Sequence, residues 1–332
     1  MKIAFFEIKK WEKDFIKKLI KAERIDFSKE TINKENLEKF KETRIISVFI
    51  YSKIDKAVLD KLPNLGFIST RSTGFDHIDI KECKKRGIKV ANVPFYGENT
   101  VAEHTFALIL SLSRNIHKSY LKTQHRDFSL EGLRGFDLKG KTLGVIGGGR
   151  IGLHVVRMAK SFGMKVKVFD IKQDSFLAEV LDFEYIDFDE ILSKSDIISL
   201  HVPYNKHTHH MINRDNIEKI KKGALLINTA RGKIVETEAL IEALDKGILS
   251  GAGLDVLEDE EFIQEDKQLL YDKEKVDKLG SIVKDHILIN MENVVFTPHI
   301  AFFSTEALER ILKTTALNIQ AFEKGNPQNL IN

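Results

Sequence analysis

The sequence predicts an α/β protein built from two doubly wound, parallel-sheet domains. Three observations carry this. Short β-rich runs alternate with amphipathic helical stretches almost throughout. The runs are near-continuously apolar, as strands are when a parallel sheet is covered on both faces. The rhythm restarts with longer units after residue 140 of a 332-residue chain, which is long enough for two domains at roughly 100–200 residues each.

The elements follow in order. KIAFFE, ISVFIY, GFIST and KVANV read as strands, with WEKDFIKKLIKAE and DKAVLDKL as helices between them. KTLGVIG, KVKVFD, DIISLHV and ALLINTA form the second series. From Asn99 to about Tyr120 the chain reads NTVAEHTFALILSLSRNIHKSY, with Val101, Phe106, Leu108, Ile109, Leu110 and Leu112 spread round most of a helix. A helix that is apolar all round is buried. Plain core packing and packing between domains or subunits fit it equally. There is no low-complexity linker and no short-period repeat.

Composition narrows the function classes. The 52 Lys and Arg residues are interleaved with 49 Asp and Glu, for a net charge of +3. Nucleic-acid binding needs basic charge gathered on one face, so no nucleic-acid partner is expected. Lys17–Lys18 and Lys221–Lys222 read as solvated helix faces. Cys83 is the single cysteine, without a His or acid placed to activate it, and reads as structural. MKIAFFEIKK has neither a long apolar stretch nor a small-residue cleavage site. The longest apolar run, Phe106 to Leu112, is far short of the ~20 residues of a membrane span. The expectation is a cytoplasmic protein with no membrane partner.

Residues 141–152 read KTLGVIGGGRIG and are followed by the helical LHVVRMAKSFG. This is G-x-G-x-x-G between a strand and a helix, the Rossmann dinucleotide fingerprint. Gly147 allows the tight turn, Gly149 the approach of a pyrophosphate, and Gly152 close helix–strand packing. The free N–H groups and dipole at the helix start favour phosphate. Alone the pattern is weak, since methyltransferases carry similar loops. KVKVFD sharpens it by ending in Asp170, about the distance at which an acid hydrogen-bonds the ribose hydroxyls. Its charge opposes a 2′-phosphate, so NAD is expected over NADP. Lys172 is the only nearby base, and an ordinary strand-end acid is the plain alternative.

Ligands of such folds gather at the carboxyl ends of the strands. GALLINTA ends in Arg231, LSGAGLD in Asp255 followed by LEDEE, and NVVFT in Pro298-His299. That set suits reduction of a 2-keto acid. A planar guanidinium binds a carboxylate through paired hydrogen bonds. A histidine donates a proton near neutral pH as hydride reaches the carbonyl carbon, and a carboxylate fixes its tautomer. A structural ion pair for Arg231 and a structural role for a histidine after proline are the bland readings.

These stretches resemble the D-isomer-specific 2-hydroxyacid dehydrogenase family over essentially the whole chain. The matches are STGFDHID (72–79), VPFYGENTVAEH (93–104), the glycine loop, HVPYNKHTHHMIN (201–213), INTARG (227–232), GLDVLEDE (253–260) and TPHIAFFSTEA (297–307). TPHIAFFS, VPFY and the long insert between Glu260 and Asn293 look most like the D-lactate dehydrogenase branch. The resemblance implies Arg231 on the substrate carboxylate and carbonyl, and His299 as acid/base. The histidine's partner glutamate lies five residues after Asp255, at Glu260, with Glu258 as a competitor in the same run. The resemblance also implies cofactor contacts from Arg150, Ile151, Val202, Pro203, Thr208, Thr229, Ala230 and Asp255. Substrate contacts are implied for Thr73, Gly74 and Tyr96, with Tyr51 and Phe302 as bulky walls favouring pyruvate-sized substrates. Phe303 stands where relatives often have tyrosine.

The family fold implies a flavodoxin-like substrate domain, residues 1–98 plus 300–332, with the NAD-binding Rossmann domain, 99–299, inserted into it. It also implies a homodimer to which the 99–120 helix contributes. His207, His209 and His210 have no Cys or acid beside them in sequence and read as a solvated loop without metal. Sister activities on glyoxylate, hydroxypyruvate or bulkier keto acids, and an NAD-sensing corepressor role, are the alternatives.

Overall fold

The apolar runs assemble into two all-parallel sheets, one in each of two units of the chain. The computed structural model describes residues 2–22, 24–32, 36–258 and 279–332. The first unit comprises Met1–Gly97 and Phe303–Asn332, and the second Glu98–Phe302. The chain returns to the first unit after Phe302, where the resemblance implied a return after residue 299.

The first unit holds β1 (Lys2–Phe5), β2 (Arg24–Phe27), β3 (Ile45–Val48), β4 (Phe67–Thr70) and β5 (Lys89–Ala91). Their order, β2-β1-β3-β4-β5, is the flavodoxin-like one. β3 and β4 are buried at every residue, which is why they read as unbroken apolar runs. One face packs Ala4, Ile46, Ile68 and Val90 with Cys83. The other packs Ile3, Phe5, Ile45 and Phe67 against Leu312, Ala316 and Ile319 of the helix Thr305–Glu323. Burial pushes the Cys83 thiol up to about 11, so it sits there as an inert apolar group.

The second unit holds β6 (Thr142–Ile146), β7 (Lys165–Phe169), β8 (Glu184–Tyr185), β9 (Ile197–Leu200), β10 (Ala224–Asn228), β11 (Leu249–Leu254) and β12 (Val294–Phe296), in the order β12-β11-β10-β9-β6-β7-β8. This is the dinucleotide-binding order with a seventh strand, and its direction reverses between β6 and β9. The glycine loop follows β6, so the sequence fingerprint lies at the switch point.

Two strands, β2 and β8, lie outside the sequence-based expectation. Both are edge strands. RIDF has no fully buried residue, and β8 is two residues long. The apolar stretch 99–120 also differs from expectation, being two helices rather than one. Glu98–Ser113 buries Val101, Phe106, Leu108, Ile109 and Leu112. Asn115 then takes a left-handed conformation, φ +51°, and Ile116–Gln124 buries nothing. Ile116, Tyr120 and Leu121 are exposed. The first helix crosses β11 where the strand is glycine-rich: a Cβ on Gly253 would lie 3.0 Å from Leu108 Cβ.

Candidate active site

The loop after β6 is shaped by backbone crowding. Gly147 has φ +103°, and a Cβ there would come within 2.7 Å of the His201 carbonyl. A Cβ on Gly152 would lie 2.0 Å from Gly147 O. Gly149 caps the helix Arg150–Ser161 with no side chain, and nothing lies within 4 Å of its missing Cβ. The loop therefore presents bare backbone at a helix N-terminus, a cradle that fits a pyrophosphate. Arg150 opens the helix, its Nη1 3.7 Å from Glu98 Oε1, and Ile151 follows half-buried.

Asp170 follows β7 directly. Its Oδ2 accepts from Gly148 N at 2.7 Å and its Oδ1 from Lys172 N at 2.8 Å, so the carboxylate is tied to the glycine loop itself. Beyond β9, Val202 and Pro203 enter a turn closed by Thr208, whose hydroxyl donates to Pro203 O at 2.7 Å and accepts from Asn205 N at 2.8 Å. His201 pairs with the Ser199 hydroxyl at 2.8 Å, and burial holds its pKa down to about 3. The Thr229 hydroxyl meets that of Thr105 at 3.0 Å. Asn228 shapes the next turn by accepting from Ala230 N at 3.0 Å and donating to Arg231 O at 2.9 Å.

Arg231, Asp255 and His299 follow β10, β11 and β12, three neighbouring strands of one sheet. Arg231 Nη1 donates to Ala230 O at 2.7 Å. Asp255 is 1% exposed. Its Oδ1 accepts from the Thr297 hydroxyl at 2.5 Å and from Ile300 N at 2.9 Å, and its Oδ2 accepts from Ala301 N at 2.8 Å. Its carbonyl accepts from His299 N at 2.9 Å. His299 has φ +53° at the apex of this turn, a conformation that persists only where its surroundings impose it. The Asp255 side chain is thus committed to holding the His299 turn. His104 Nε2, 2.9 Å from the Thr297 hydroxyl, completes the network, a residue that sequence reasoning quoted within a motif but gave no role. The Phe302 ring stands edge-on to His299, with centroids 6.3 Å apart.

Glu260 lies outside the described residues. Its competitor, Glu258, is engaged elsewhere: its carboxylate meets His210 Nε2 at 2.6 Å and accepts from the Thr237 hydroxyl at 3.0 Å. Burial works against its charge, but the hydrogen bonds from His210 and Thr237 prevail and hold the carboxyl below its usual range. This corrects the solvated-loop reading for His210 alone; His207 and His209 are exposed. His210 is half-buried and paired with an acid remote in sequence. Among the described residues no group of His, Cys, Asp and Glu is arranged to hold a metal ion.

In the first unit, Tyr51 follows β3 and is 48% exposed. Thr73 and Gly74 follow β4. The Thr73 hydroxyl donates to Val93 O at 2.9 Å, and the Ser72 hydroxyl donates to Gly74 O at 2.6 Å. Tyr96 O accepts from Arg310 Nε at 2.6 Å. Phe303 lies under Lys9 Nζ, 4.4 Å from its ring centroid. Sequence reasoning overlooked Glu7 and the buried Arg71 here; an arginine right behind the apolar FIST was the only local signal.

A switch-point glycine loop, an acid at the end of the next strand, and an arginine and histidine at strand ends define a dinucleotide-dependent oxidoreductase. The D-isomer specific 2-hydroxyacid dehydrogenase NAD-binding domain matches residues 106–301. A D-lactate dehydrogenase of Escherichia coli is 35% identical over 98% of this chain and 98% of its own. A glyoxylate reductase of Thermococcus litoralis is 38% identical over 89% of this chain and 86% of its own. Among solved structures, D-lactate dehydrogenase from Aquifex aeolicus, complexed with NAD and lactic acid, superposes with a TM-score of 0.88 at 41% identity, covering 98% of this chain and 96% of that one. The chain belongs to the D-isomer specific 2-hydroxyacid dehydrogenases, and its cofactor is NAD.

Proposed function

We propose that the protein interconverts pyruvate and D-lactate. The observation that carries the chemistry is the placing of Arg231, Asp255 and the His299 turn at the ends of β10, β11 and β12, on the sheet that bears the glycine loop. Bound NADH supplies the hydride. Arg231 pairs with the substrate carboxylate and carbonyl oxygen, fixing the carbonyl and drawing off its developing charge. His299 gives a proton to that oxygen in reduction and takes one from the hydroxyl in oxidation. By the family resemblance Glu260 would be its carboxylate partner, while the competitor Glu258 pairs with His210. Backbone N–H groups of Thr73 and Gly74 hold the carboxylate, and Tyr96 reaches the substrate. The cofactor rests on Gly147, Gly149, Arg150, Ile151 and Gly152, with Asp170 on the ribose. Val202, Pro203, Thr208, Thr229, Ala230 and Asp255 complete its surroundings.

The choice of pyruvate is supported by bulky Tyr51 and Phe302 and by similarity to D-lactate dehydrogenases over nearly the whole chain. The similarity to a glyoxylate reductase favours a smaller keto acid as the second reading. NADH oxidation with pyruvate, glyoxylate, hydroxypyruvate and phenylpyruvate decides: the highest kcat/KM is expected for pyruvate, and a higher value for any other sinks the assignment. We further propose a homodimer, in which a second copy covers the exposed Ile116, Tyr120 and Leu121. Light scattering should find a particle of two 38.0 kDa chains. A reducing cytoplasm suits a chain whose single cysteine is buried.

A further inference from the structure

The half-buried Glu7 and the buried Arg71 belong to one hydrogen-bonded group that the reaction chemistry does not use. Glu7 lies two residues beyond β1, with φ +53°. Its carboxylate gathers three donors from the segment after β3: Phe49 N at 2.9 Å, Tyr51 N at 2.9 Å, and the Ser52 hydroxyl. Ser52 in turn accepts from Ile32 N at 3.0 Å. Arg71, 2% exposed, follows β4 directly, just before Ser72, Thr73 and Gly74. Its Nη2 donates to Phe6 O at 2.6 Å and Glu7 O at 3.0 Å, and its Nη1 to the Ser47 hydroxyl at 3.1 Å. Burial pushes the guanidinium down, and the charges of Glu12 and Glu7 oppose this. The carboxyl ends of β1, β3 and β4 are therefore bound into one connected group.

Sheet-edge stabilisation alone does not account for the pattern. The Phe49 and Tyr51 amides lie beyond the last residue of β3, past the registers in which it pairs with β1 and β4. One carboxylate holds both. The Tyr51 ring stands out from this clamp, edge-on to Phe49 with centroids 6.1 Å apart. Its reach is set by where Glu7 holds the backbone.

We infer that Glu7 is a specificity-positioning residue: by hanging residues 49–52 from the end of β1, it fixes the Tyr51 ring over the substrate side chain and favours a methyl-sized 2-keto acid over a bulky one. This rests on the reading of Tyr51 as a wall of the substrate site.

Glu7→Gln keeps the size but replaces an accepting oxygen with an NH2 group, which cannot accept from an amide. The ratio of kcat/KM for pyruvate to that for phenylpyruvate should fall about tenfold, as loss of one charge-assisted hydrogen bond implies. The change should lie in the pyruvate KM, with kcat and NADH binding nearly unchanged. Tyr51→Ala should shift the same ratio, and the double variant should shift it no further than Tyr51→Ala alone. Equal losses on both substrates, or additive shifts in the double variant, would overturn the inference. If Glu7→Gln does not fold, Ser52→Ala removes one donor only, and a smaller shift in the same direction is expected; no shift overturns the inference. A wild-type chain that reduces no keto acid sinks the functional reading and this inference with it. An active wild type with an unchanged ratio in the variants sinks this inference alone.

Discussion

Arg231 leaves β10 on a turn shaped by Asn228, and its guanidinium is steered by a hydrogen bond to the preceding carbonyl. A lysine there keeps the charge but loses the planar pair of donors. Arg231→Lys should therefore cost about 2–4 kcal/mol of transition-state binding, roughly 10²–10³ in kcat/KM. Near-normal turnover would remove Arg231 from the proposed machinery. Asp170 acts through charge as well as geometry. Its carboxylate is anchored on the glycine loop, so it opposes a 2′-phosphate from a fixed position. NADH should be strongly preferred over NADPH, and Asp170→Ala should narrow the gap in kcat/KM. Equal use of both cofactors by the wild type would contradict the ribose role.

The turn carrying Arg231 and the segment leaving β11 are fitted to one another. A Cβ on Gly232 would lie 1.9 Å from Leu257 O and 2.5 Å from Glu258 N, both backbone atoms that a side-chain rearrangement cannot move away. Gly232→Ala should cost at least the ~1–3 kcal/mol of ordinary overpacking, with a lowered Tm and a loss of activity through the displaced Arg231. An unchanged Tm would mean that the two segments move apart freely. In sequence, both candidate glutamates follow the same strand. Glu260→Gln should move the alkaline limb of keto acid reduction to lower pH, while Glu258→Gln should leave it in place and lower stability instead. The reverse pattern would put the carboxylate partner two residues earlier. What was legible in the sequence follows from physical range. Strands buried on both faces announce themselves, and chemistry at their carboxyl ends can be read in order, hence Arg231, Asp255 and His299. β2 and β8 were not legible, because edge strands keep a mixed polar pattern. The break at Asn115 has neither glycine nor proline to mark it. Glu7 on Tyr51, and His210 on Glu258, are pairings across long stretches of chain that no local pattern encodes.

Across the whole molecule, acid should act through His201 beneath the glycine loop. The folded chain keeps this ring neutral down to about pH 3, whereas an unfolded chain protonates it below about 6.5. Stability is therefore full above pH 6.5 and falls as pH drops from there toward 3. Between pH 7 and pH 5 the loss is at most about 2 kcal/mol, because each pH unit below the unfolded pKa contributes at most about 1.4 kcal/mol. Urea titrations at both pH values should show this difference, and His201→Asn should flatten it; an undiminished difference in the variant would remove His201 as the cause. The discontinuous first unit has a consequence in time. Ribosomes add about 5–20 residues per second, so Phe303 follows Gly97 by roughly 10–40 s. Through that interval the Ile3, Phe5, Ile45 and Phe67 face waits for Leu312, Ala316 and Ile319, while Glu98–Phe302 is a contiguous stretch able to fold as it emerges. The nascent chain thus spends longest with its substrate unit unfinished, and that unit, rather than the nucleotide-binding one, is where aggregation during synthesis should begin.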